Sequence, residues 1–310
     1  MTSTEIFYSR KTNKLFYYEQ KFIFLKNLYK LNKLPKVLLL TGEKGIGKST
    51  LVSHFMHYIY DTENYDSKQY SFVSQTNFDN QFFNNYFPNI IYLEGQSFKT
   101  VRIEEIRKLK TNLLKKPIIQ NKRFIILDDV DLFNGNSLNA LLKVIEEPGI
   151  SNFFILINNK SRPLIETLKS RCIEIKYSLD EEAKKKIMQK LIDLYDQKMV
   201  LNPELANISP GNFLKFNHIL SQNEIDLNDS FLKNLNKLIT LFKKDKNYIL
   251  RDLLMFYTDY YFKNFKYINE YSKSKSLNKR SYIIKKLNEF FLYNLNQTTL
   301  INSIETNIIE

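Results

Sequence analysis

Residues 36–50, Lys-Val-Leu-Leu-Leu-Thr-Gly-Glu-Lys-Gly-Ile-Gly-Lys-Ser-Thr, decide the fold of this chain. The apolar run at the start does not alternate with polar residues, which predicts a strand buried on both faces. The turn that follows fits the phosphate-binding pattern G-x-x-x-x-G-K-[ST] in full. Because a helical pattern comes next, the stretch predicts a nucleotide-binding α/β domain.

Each residue type in such a loop has a defined chemistry. The glycines allow backbone N–H groups to surround phosphate oxygens, and the dipole of the following helix adds to the attraction. We expect the lysine to reach the β- and γ-phosphates and the serine hydroxyl to ligate Mg²⁺. The expected cofactors are therefore ATP and Mg²⁺, and the expected binding residues are Gly42, Gly45, Gly47, Lys48, Ser49 and Thr50.

A second acidic motif follows the apolar run that begins at Arg123. Asp128 closes this run, and an acidic residue at the carboxyl end of a buried strand can hold Mg²⁺ through water. Asp129 stands where many ATPases carry a glutamate that polarises the attacking water, but its side chain is one methylene shorter. The alternative for both residues is a solvated strand end. Asp128 is thus a candidate metal ligand and Asp129 a candidate catalytic residue.

Short apolar runs and longer helical patterns alternate along the first half of the chain. This alternation is typical of a parallel sheet with helices between its strands. After residue 178 the strand signals fade, and we expect a helical lid at 178–222 and an all-helical C-terminal domain at 226–310. The segment 273–280 is expected to be a solvated loop between helices, and a contact with phosphate is the alternative. The five strands predicted for the domain at 1–177 are 36–41, 90–94, 123–128, 153–158 and 172–176, and the helices are 49–60, 102–115, 137–147 and 164–169.

Composition narrows the class of protein further. Lys plus Arg outnumber Asp plus Glu by 46 to 33, a net charge of +13 that favours nucleic acid, nucleotides or an acidic partner. AT-rich coding is an alternative source of the lysine content. A single cysteine excludes both a disulfide within the chain and a cysteine-based zinc site. Since no apolar stretch reaches the ~18–20 residues of a membrane helix, we expect a cytoplasmic protein without a membrane partner.

Three further segments occur in order after the phosphate loop: Asp-Asp-Val-Asp at 128–131, Leu-Asn-Ala-Leu-Leu-Lys-Val-Ile-Glu-Glu-Pro at 138–148, and Ser-Arg-Cys at 170–172. Together they resemble the bacterial clamp-loader AAA+ subunits, whose sequences read D-x-A-D, N-A-L-L-K-x-L-E-E-P and S-R-C. The resemblance is strong over about residues 34–177. It implies an AAA+ P-loop domain, a helical lid and a C-terminal collar domain.

The resemblance also implies roles for two polar positions. Arg171 matches the S-R-C arginine, which acts in trans as an arginine finger on the ATP of a neighbouring subunit. A guanidinium suits this task because its charge is permanent and its planar fork fits a phosphate. A surface or ion-paired arginine ahead of a strand is the alternative. Asn158 or Asn159 stands where the family has its first sensor residue, and a plain turn residue is the alternative.

Departures from the motor subunits (tau or gamma) indicate which kind of clamp-loader subunit this chain resembles. Motor subunits usually carry four zinc-binding cysteines, which residues 60–89 lack, and an arginine in the lid, where this chain reads Ser-Pro-Gly-Asn at 209–212. Ser-Pro-Gly resembles delta-prime. A short gamma-like motor subunit and an independent P-loop ATPase are the alternatives.

The delta-prime resemblance implies partners and an activity. The implied partners are the motor and delta subunits, the sliding clamp and primer-template DNA. The implied setting is the DNA polymerase III holoenzyme, with weak or no ATP hydrolysis by the isolated chain and polymerisation in other subunits.

Overall fold

The computed structural model describes residues 8–95, 101–113, 117–118, 122–264 and 270–309. These residues form two compact units. The first comprises residues 1–188 and 209–212, and the second comprises 189–208 and 213–310. The boundaries therefore differ from the three modules expected above, and the division into nucleotide-binding domain, lid and collar stays a prediction.

A parallel sheet organises the first unit. Its strands occur in the order β4-β5-β6-β1-β7, and every pairing between them is parallel, as the sequence predicts. A separate two-stranded antiparallel hairpin, which the sequence analysis did not predict, is formed by β2 and β3. The strands are β1 (Val37–Thr41), β2 (Tyr65–Asp66), β3 (Ser71–Phe72), β4 (Ile90–Glu94), β5 (Arg123–Asp128), β6 (Asn152–Asn158) and β7 (Ile173–Lys176).

Strands β1 and β5 are buried along their whole length, as expected for runs without alternation. The register pairs Thr41 with Asn158 and Glu94 with Asp128, so the carboxyl ends of β1, β4, β5 and β6 meet at one edge of the sheet. In open parallel sheets this edge is where ligands bind. The topology thus brings the phosphate loop and the acidic motif together.

Most of the described residues outside the strands belong to helices. Asn134 caps α5 by accepting a hydrogen bond from the Ser137 amide, 2.8 Å away, which explains the sharp start of that helix after β5. The helices are α1 (Glu19–Lys30), α2 (Lys48–Tyr60), α3 (Asn77–Phe83), α4 (Ile103–Leu113), α5 (Gly135–Glu146), α6 (Glu166–Lys169), α7 (Glu181–Leu194), α8 (Pro210–Gln222), α9 (Phe231–Asp245), α10 (Tyr248–Asn264), α11 (Glu270–Tyr293) and α12 (Gln297–Ile309). The expected last residues of α4, 114 and 115, lie outside the described residues.

The second unit is helical, and its core is rich in aromatic rings. Phe231 stacks on Tyr257 with 5.5 Å between ring centroids and 5° between planes. One expectation was wrong here: residues 273–280 belong to α11 and do not form a loop. Their charge indicated solvent, but Ile283, Leu287 and Phe290 continue a buried face at helical spacing. Within the described residues, no helix is long and apolar enough to cross a membrane.

Candidate nucleotide-binding site

The phosphate loop joins β1 to α2 and depends on two glycines with positive φ. Gly45 has φ +85° and Gly47 has φ +101°, a conformation that L side chains rarely adopt. Gly42 begins the loop, and its amide donates to the Asn158 carbonyl, 3.1 Å away, so the loop is tied to the end of β6. The loop therefore has the turn geometry that its glycines predict.

Lys48, the first residue of α2, is buried inside this loop and only 2% exposed. Its ammonium donates to the carbonyls of Gly42 and Glu43 at 2.8 and 2.7 Å. Burial lowers the pKa of Lys48 to about 8, although nearby carboxylates, Asp128 foremost, act in the opposite direction. A buried cation thus lies where the motif requires one. Phosphate oxygens of a bound nucleotide would give this ammonium a negatively charged partner in direct contact.

Asp128, at the end of β5, is held by three donors. Its Oδ2 accepts from Ser49 Oγ at 2.6 Å and from the Tyr92 hydroxyl at 2.7 Å, and its Oδ1 accepts from the Asp129 amide at 2.8 Å. The two predicted metal ligands, Ser49 and Asp128, are therefore in direct contact. Tyr92 on β4 is a site residue that the sequence analysis missed, although a tyrosine near the carboxyl end of a predicted strand was a signal for it.

Asp129 lies beside Asp128 with φ +52°, in the left-handed region. Its carboxylate pairs with the Lys44 ammonium at 3.0 Å and accepts from Asn159 Nδ2 at 2.6 Å. Burial and the charge of Asp128 raise the pKa of Asp129 above its ordinary value, while Lys44 acts to lower it. The candidate catalytic carboxylate is thus fixed in orientation at the edge of the phosphate loop.

The two asparagines after β6 take different positions. The Asn158 side chain is buried, with Nδ2 3.5 Å from Thr41 Oγ1 and Oδ1 accepting from the Lys160 amide at 3.0 Å. Asn159 reaches Asp129 instead. Of the two sensor candidates, therefore, Asn158 supports the loop through its backbone, and Asn159 contacts the candidate catalytic acid.

The Thr50 side chain points away from the phosphate loop. Its hydroxyl donates to the Ser9 carbonyl at 3.0 Å, and the neighbouring Ser53 hydroxyl donates to the Arg10 carbonyl at 2.8 Å. The threonine therefore anchors the N-terminal segment to α2. Only the backbone of Thr50 is then left to contact a nucleotide.

The start of α8 contacts the outside of the loop. The Gly211 amide donates to the Gly45 carbonyl at 2.9 Å. The hydroxyl of Ser209 is fully buried, and a Cβ on Gly45 would lie 2.4 Å from it. The hydroxyls of Ser209, Tyr18 and Tyr177 are buried without a hydrogen-bond partner among the described residues. Tyr18 and Tyr177 also lie near the loop, Tyr18 against Gly47 and Tyr177 against Gly42.

A loop with these glycines, the buried Lys48 ammonium and the contact between Ser49 and Asp128 together fit a phosphate-bearing ligand and its metal at this site. We conclude that the residues present suit ATP with Mg²⁺.

Arg171 follows α6 and contacts none of the residues above. Its Nε and Nη2 both lie 2.8 Å from Glu146 Oε1, and its Nη1 donates to the Thr167 carbonyl at 2.9 Å and lies 3.4 Å from Ser170 Oγ. The Arg171 side chain is 38% exposed. It is therefore accessible to a partner.

His54 and His57 on α2 have packing roles. His54 lies 3.2 Å from the Tyr65 hydroxyl and 3.1 Å from the Thr12 carbonyl, and burial lowers its pKa to about 3. His57 stacks on Phe72 with ring centroids 3.7 Å apart. No group of three or more metal-ligating side chains occurs in the part of the chain that the structure describes.

Comparisons with known proteins identify the family of this chain. The family model described as "DNA polymerase III, delta subunit" matches residues 18–180, more than half of the chain. This chain belongs to that DNA polymerase III clamp-loader family. The known proteins that this chain resembles in sequence include both delta-prime and gamma subunits.

Two relatives illustrate the range. The chain is 28% identical over 213 residues to the delta-prime subunit of Buchnera aphidicola subsp. Acyrthosiphon pisum, covering 66% of this chain and 63% of the relative. It is 26% identical over 250 residues to the gamma subunit of Buchnera aphidicola subsp. Schizaphis graminum, covering 76% and 65%. The match to the tau/gamma subunit of Haemophilus influenzae spans only 22% of that protein. The chain thus matches between about a fifth and two thirds of the length of these relatives.

A solved structure has a fold similar to that of this clamp-loader family member. A gamma subunit-related protein from Thermotoga maritima is similar to it with a TM-score of 0.53 and 14% identity, covering 91% of this chain and 98% of that one. At this identity the likeness concerns the fold alone, an α/β region with a parallel five-stranded sheet followed by helices.

Proposed function

We propose that this chain is a delta-prime-like clamp-loader subunit that binds ATP and Mg²⁺ and contributes Arg171 in trans to the ATP site of a neighbouring subunit. The observation that carries the first part is the contact between Ser49 Oγ and Asp128 Oδ2 beside the buried Lys48. Family membership and the exposed Arg171 in its Ser-Arg-Cys segment support the second part.

Each residue of the proposed site has a task that follows from its position. Amides of the loop and Lys48 would bind the phosphates, and Ser49 with Asp128 would hold the metal. Mg²⁺, when bound, neutralises charge on the β- and γ-phosphates. Asn159 holds the Asp129 carboxylate at 2.6 Å, so this acid is oriented to polarise a water. Burial raises the pKa of Asp129, and the pairing with Lys44 offsets part of that rise by stabilising the charged carboxylate. The weak hydrolysis proposed for the isolated chain rests on the family resemblance.

The proposed partners are the motor and delta subunits, the sliding clamp and primer-template DNA. The choice of delta-prime over a gamma-like motor rests on the segment 209–212, where Ser209 and Gly211 contact Gly45 and no arginine is present. The intact phosphate loop and the gamma relative support the motor as the second candidate. Rapid ATP turnover by the purified chain alone would favour that candidate.

The deciding experiment measures clamp- and DNA-stimulated ATP turnover by a complex reconstituted with the cognate motor and delta subunits. We expect Arg171→Ala to lower turnover by ~10³-fold or more at the affected site, as for other arginine fingers. Lys169→Ala is the matched control, because this neighbouring cation pairs with Glu166 on the surface. An assembled complex whose turnover is indifferent to Arg171→Ala would contradict the proposal.

A further inference from the structure

Glu146 is the last residue of α5, and Arg171 follows the short helix α6. One carboxylate oxygen of Glu146, Oε1, lies 2.8 Å from both Nε and Nη2 of Arg171 and accepts from this edge of the guanidinium. On the other side, Nη1 donates to the backbone carbonyl of Thr167 at 2.9 Å. The guanidinium is therefore held from two sides, once by a side chain and once by the backbone.

This arrangement leaves the outer end of the guanidinium open. Arginine carries five N–H groups, one on Nε and two on each terminal nitrogen. Glu146 takes the edge formed by Nε and Nη2, and Thr167 takes one hydrogen of Nη1. Nη1 also lies 3.4 Å from Ser170 Oγ, a contact at the long limit of a hydrogen bond that a phosphate oxygen could replace. On Nη2, one N–H has no acceptor among the described residues, and the two terminal nitrogens form the edge that fits two oxygens of a phosphate.

The scaffold beneath the two side chains is rigid. Val144 and Ile145, just before Glu146, are buried in the core of the first unit, and Leu168 of α6 is fully buried in the same core. The backbone of Arg171 is fixed through its amide, which donates to the Leu168 carbonyl at 3.2 Å. The ion pair thus joins two anchored elements, although it is itself partly exposed.

We propose that Glu146 is a positioning residue for Arg171, holding the guanidinium in the orientation in which its outer edge meets the γ-phosphate of a neighbouring subunit's ATP. The inference rests on the proposed function of Arg171. A free arginine side chain would have to be ordered during the reaction, and fixing it beforehand removes that cost. An exposed ion pair contributes little to stability, so orientation is the property that it supplies.

The test uses the reconstituted complex, isolated as an assembled species before the assay. We expect Glu146→Ala to lower kcat for ATP by about 3- to 10-fold, the range that corresponds to immobilising one long side chain, with KM changed by less than about twofold. Glu146→Gln keeps an acceptor without charge, and its kcat should fall between wild type and Glu146→Ala. Glu147→Ala, at the exposed neighbouring glutamate, should leave kcat unchanged.

The double variant separates positioning from other roles. If Glu146 acts through Arg171, adding Glu146→Ala to Arg171→Ala should cause no further loss. An unchanged kcat in Glu146→Ala and Glu146→Gln, with Arg171→Ala still impaired, would overturn this inference and leave the proposed function intact. A further loss in the double variant would overturn it as well. Should Arg171→Ala itself have no effect, the proposed function fails and this inference with it.

Discussion

Lys48 is the residue of the phosphate loop whose charge is most affected by its surroundings, because it is buried and its pKa is lowered. Its ammonium is buried and contacts only carbonyl oxygens at hydrogen-bond distance among the described residues. Such a charge is tolerated because the loop orients its carbonyls toward it, and because carboxylates lie nearby. The cost is a pKa of about 8, which makes the residue sensitive to pH in a range that experiments can reach.

ATP affinity should therefore fall as pH rises above about 8. In the free protein Lys48 loses its proton through a pKa of about 8, whereas bound phosphates favour the charged form and raise that pKa. Binding then takes up a proton, and affinity should decrease by up to about tenfold per pH unit above that value. Isothermal titration calorimetry in buffers of different ionisation enthalpy measures both quantities.

Lys48→Arg provides the comparison for this prediction, because arginine stays charged throughout the range. Its affinity, even if lower, should not depend on pH between about 7 and about 9. Wild-type affinity that is equally flat would show that the lysine keeps its proton in the free protein.

Tyr92 offers a test of how Asp128 is held. Tyr92→Phe removes the 2.7 Å hydrogen bond to Oδ2 and leaves the Ser49 contact in place. We expect a loss of about 1–3 kcal/mol in the free energy of unfolding, since the acceptor is charged. Loss of a hydrogen bond to a metal ligand weakens metal binding by ~10-fold, so Mg²⁺-dependent ATP affinity should fall. ATP affinity measured in EDTA should stay within about twofold of wild type if the tyrosine acts through the metal ligand.

The residues of the site differ in how far the sequence alone could predict them. Lys48, Ser49 and Asp128 were predictable because one motif defines both the residue types and the backbone that presents them. Tyr92 and Asn159 reach their partners because β4 and β6 both lie beside β5, and strand order cannot be deduced from a single chain. The direction of the Thr50 side chain was unpredictable for a similar reason. It depends on the position of the N-terminal segment, whose Ser9 carbonyl lies beside α2 in the folded chain.

At the scale of elements, strands were predicted better than short or mixed helices. The five strands of the parallel sheet were found to within one residue because their apolar runs are uninterrupted. The hairpin of β2 and β3 has two residues in each strand, too few for periodicity. Helix α1 was missed because Ile23 and Phe24 are exposed beside the buried Phe22 and Leu25, which obscures an apolar stripe.

The contact between α8 and the phosphate loop leads to a prediction at this scale. A Cβ on Gly211 would lie 2.8 Å from the Gly45 carbonyl oxygen, and backbone cannot give way as a flexible side chain can. Gly211→Ala should therefore displace the start of α8 and lower the free energy of unfolding by about 1–3 kcal/mol. It should also weaken ATP binding, because Gly45 would lose its support from the Gly211 amide.

Gly135→Ala is the matched control, since a Cβ at this first residue of α5 would meet nothing within 4 Å. We expect it to be neutral or stabilising by up to about 1 kcal/mol. Denaturant unfolding and ATP titration of both variants decide the matter. Equal free energies of unfolding and equal ATP affinities in the two variants would mean that the contact between Gly211 and Gly45 contributes to neither.

At the scale of the whole molecule, the residues of the candidate nucleotide site belong to one of the two compact units. The phosphate loop, Asp128, Asn159 and the segment 209–212 all lie in the first unit, even though 209–212 is separated from residue 188 by twenty residues of the second. The chain therefore passes between the two units three times, at 188/189, 208/209 and 212/213, and one part of the site comes from the segment between the second and third crossings.

This division predicts how ATP should affect thermal unfolding. We expect calorimetry to show two transitions, of which Mg²⁺-ATP raises only the one that belongs to the first unit. A ligand at 100 times its Kd stabilises the unit that binds it by about 2.7 kcal/mol, and a unit without the site gains nothing directly. Lys48→Ala should abolish the shift and keep both transitions. A single transition, or an equal shift of both, would show that the three crossings within 188–213 make the units unfold together, and nucleotide binding would then report on the stability of the entire chain.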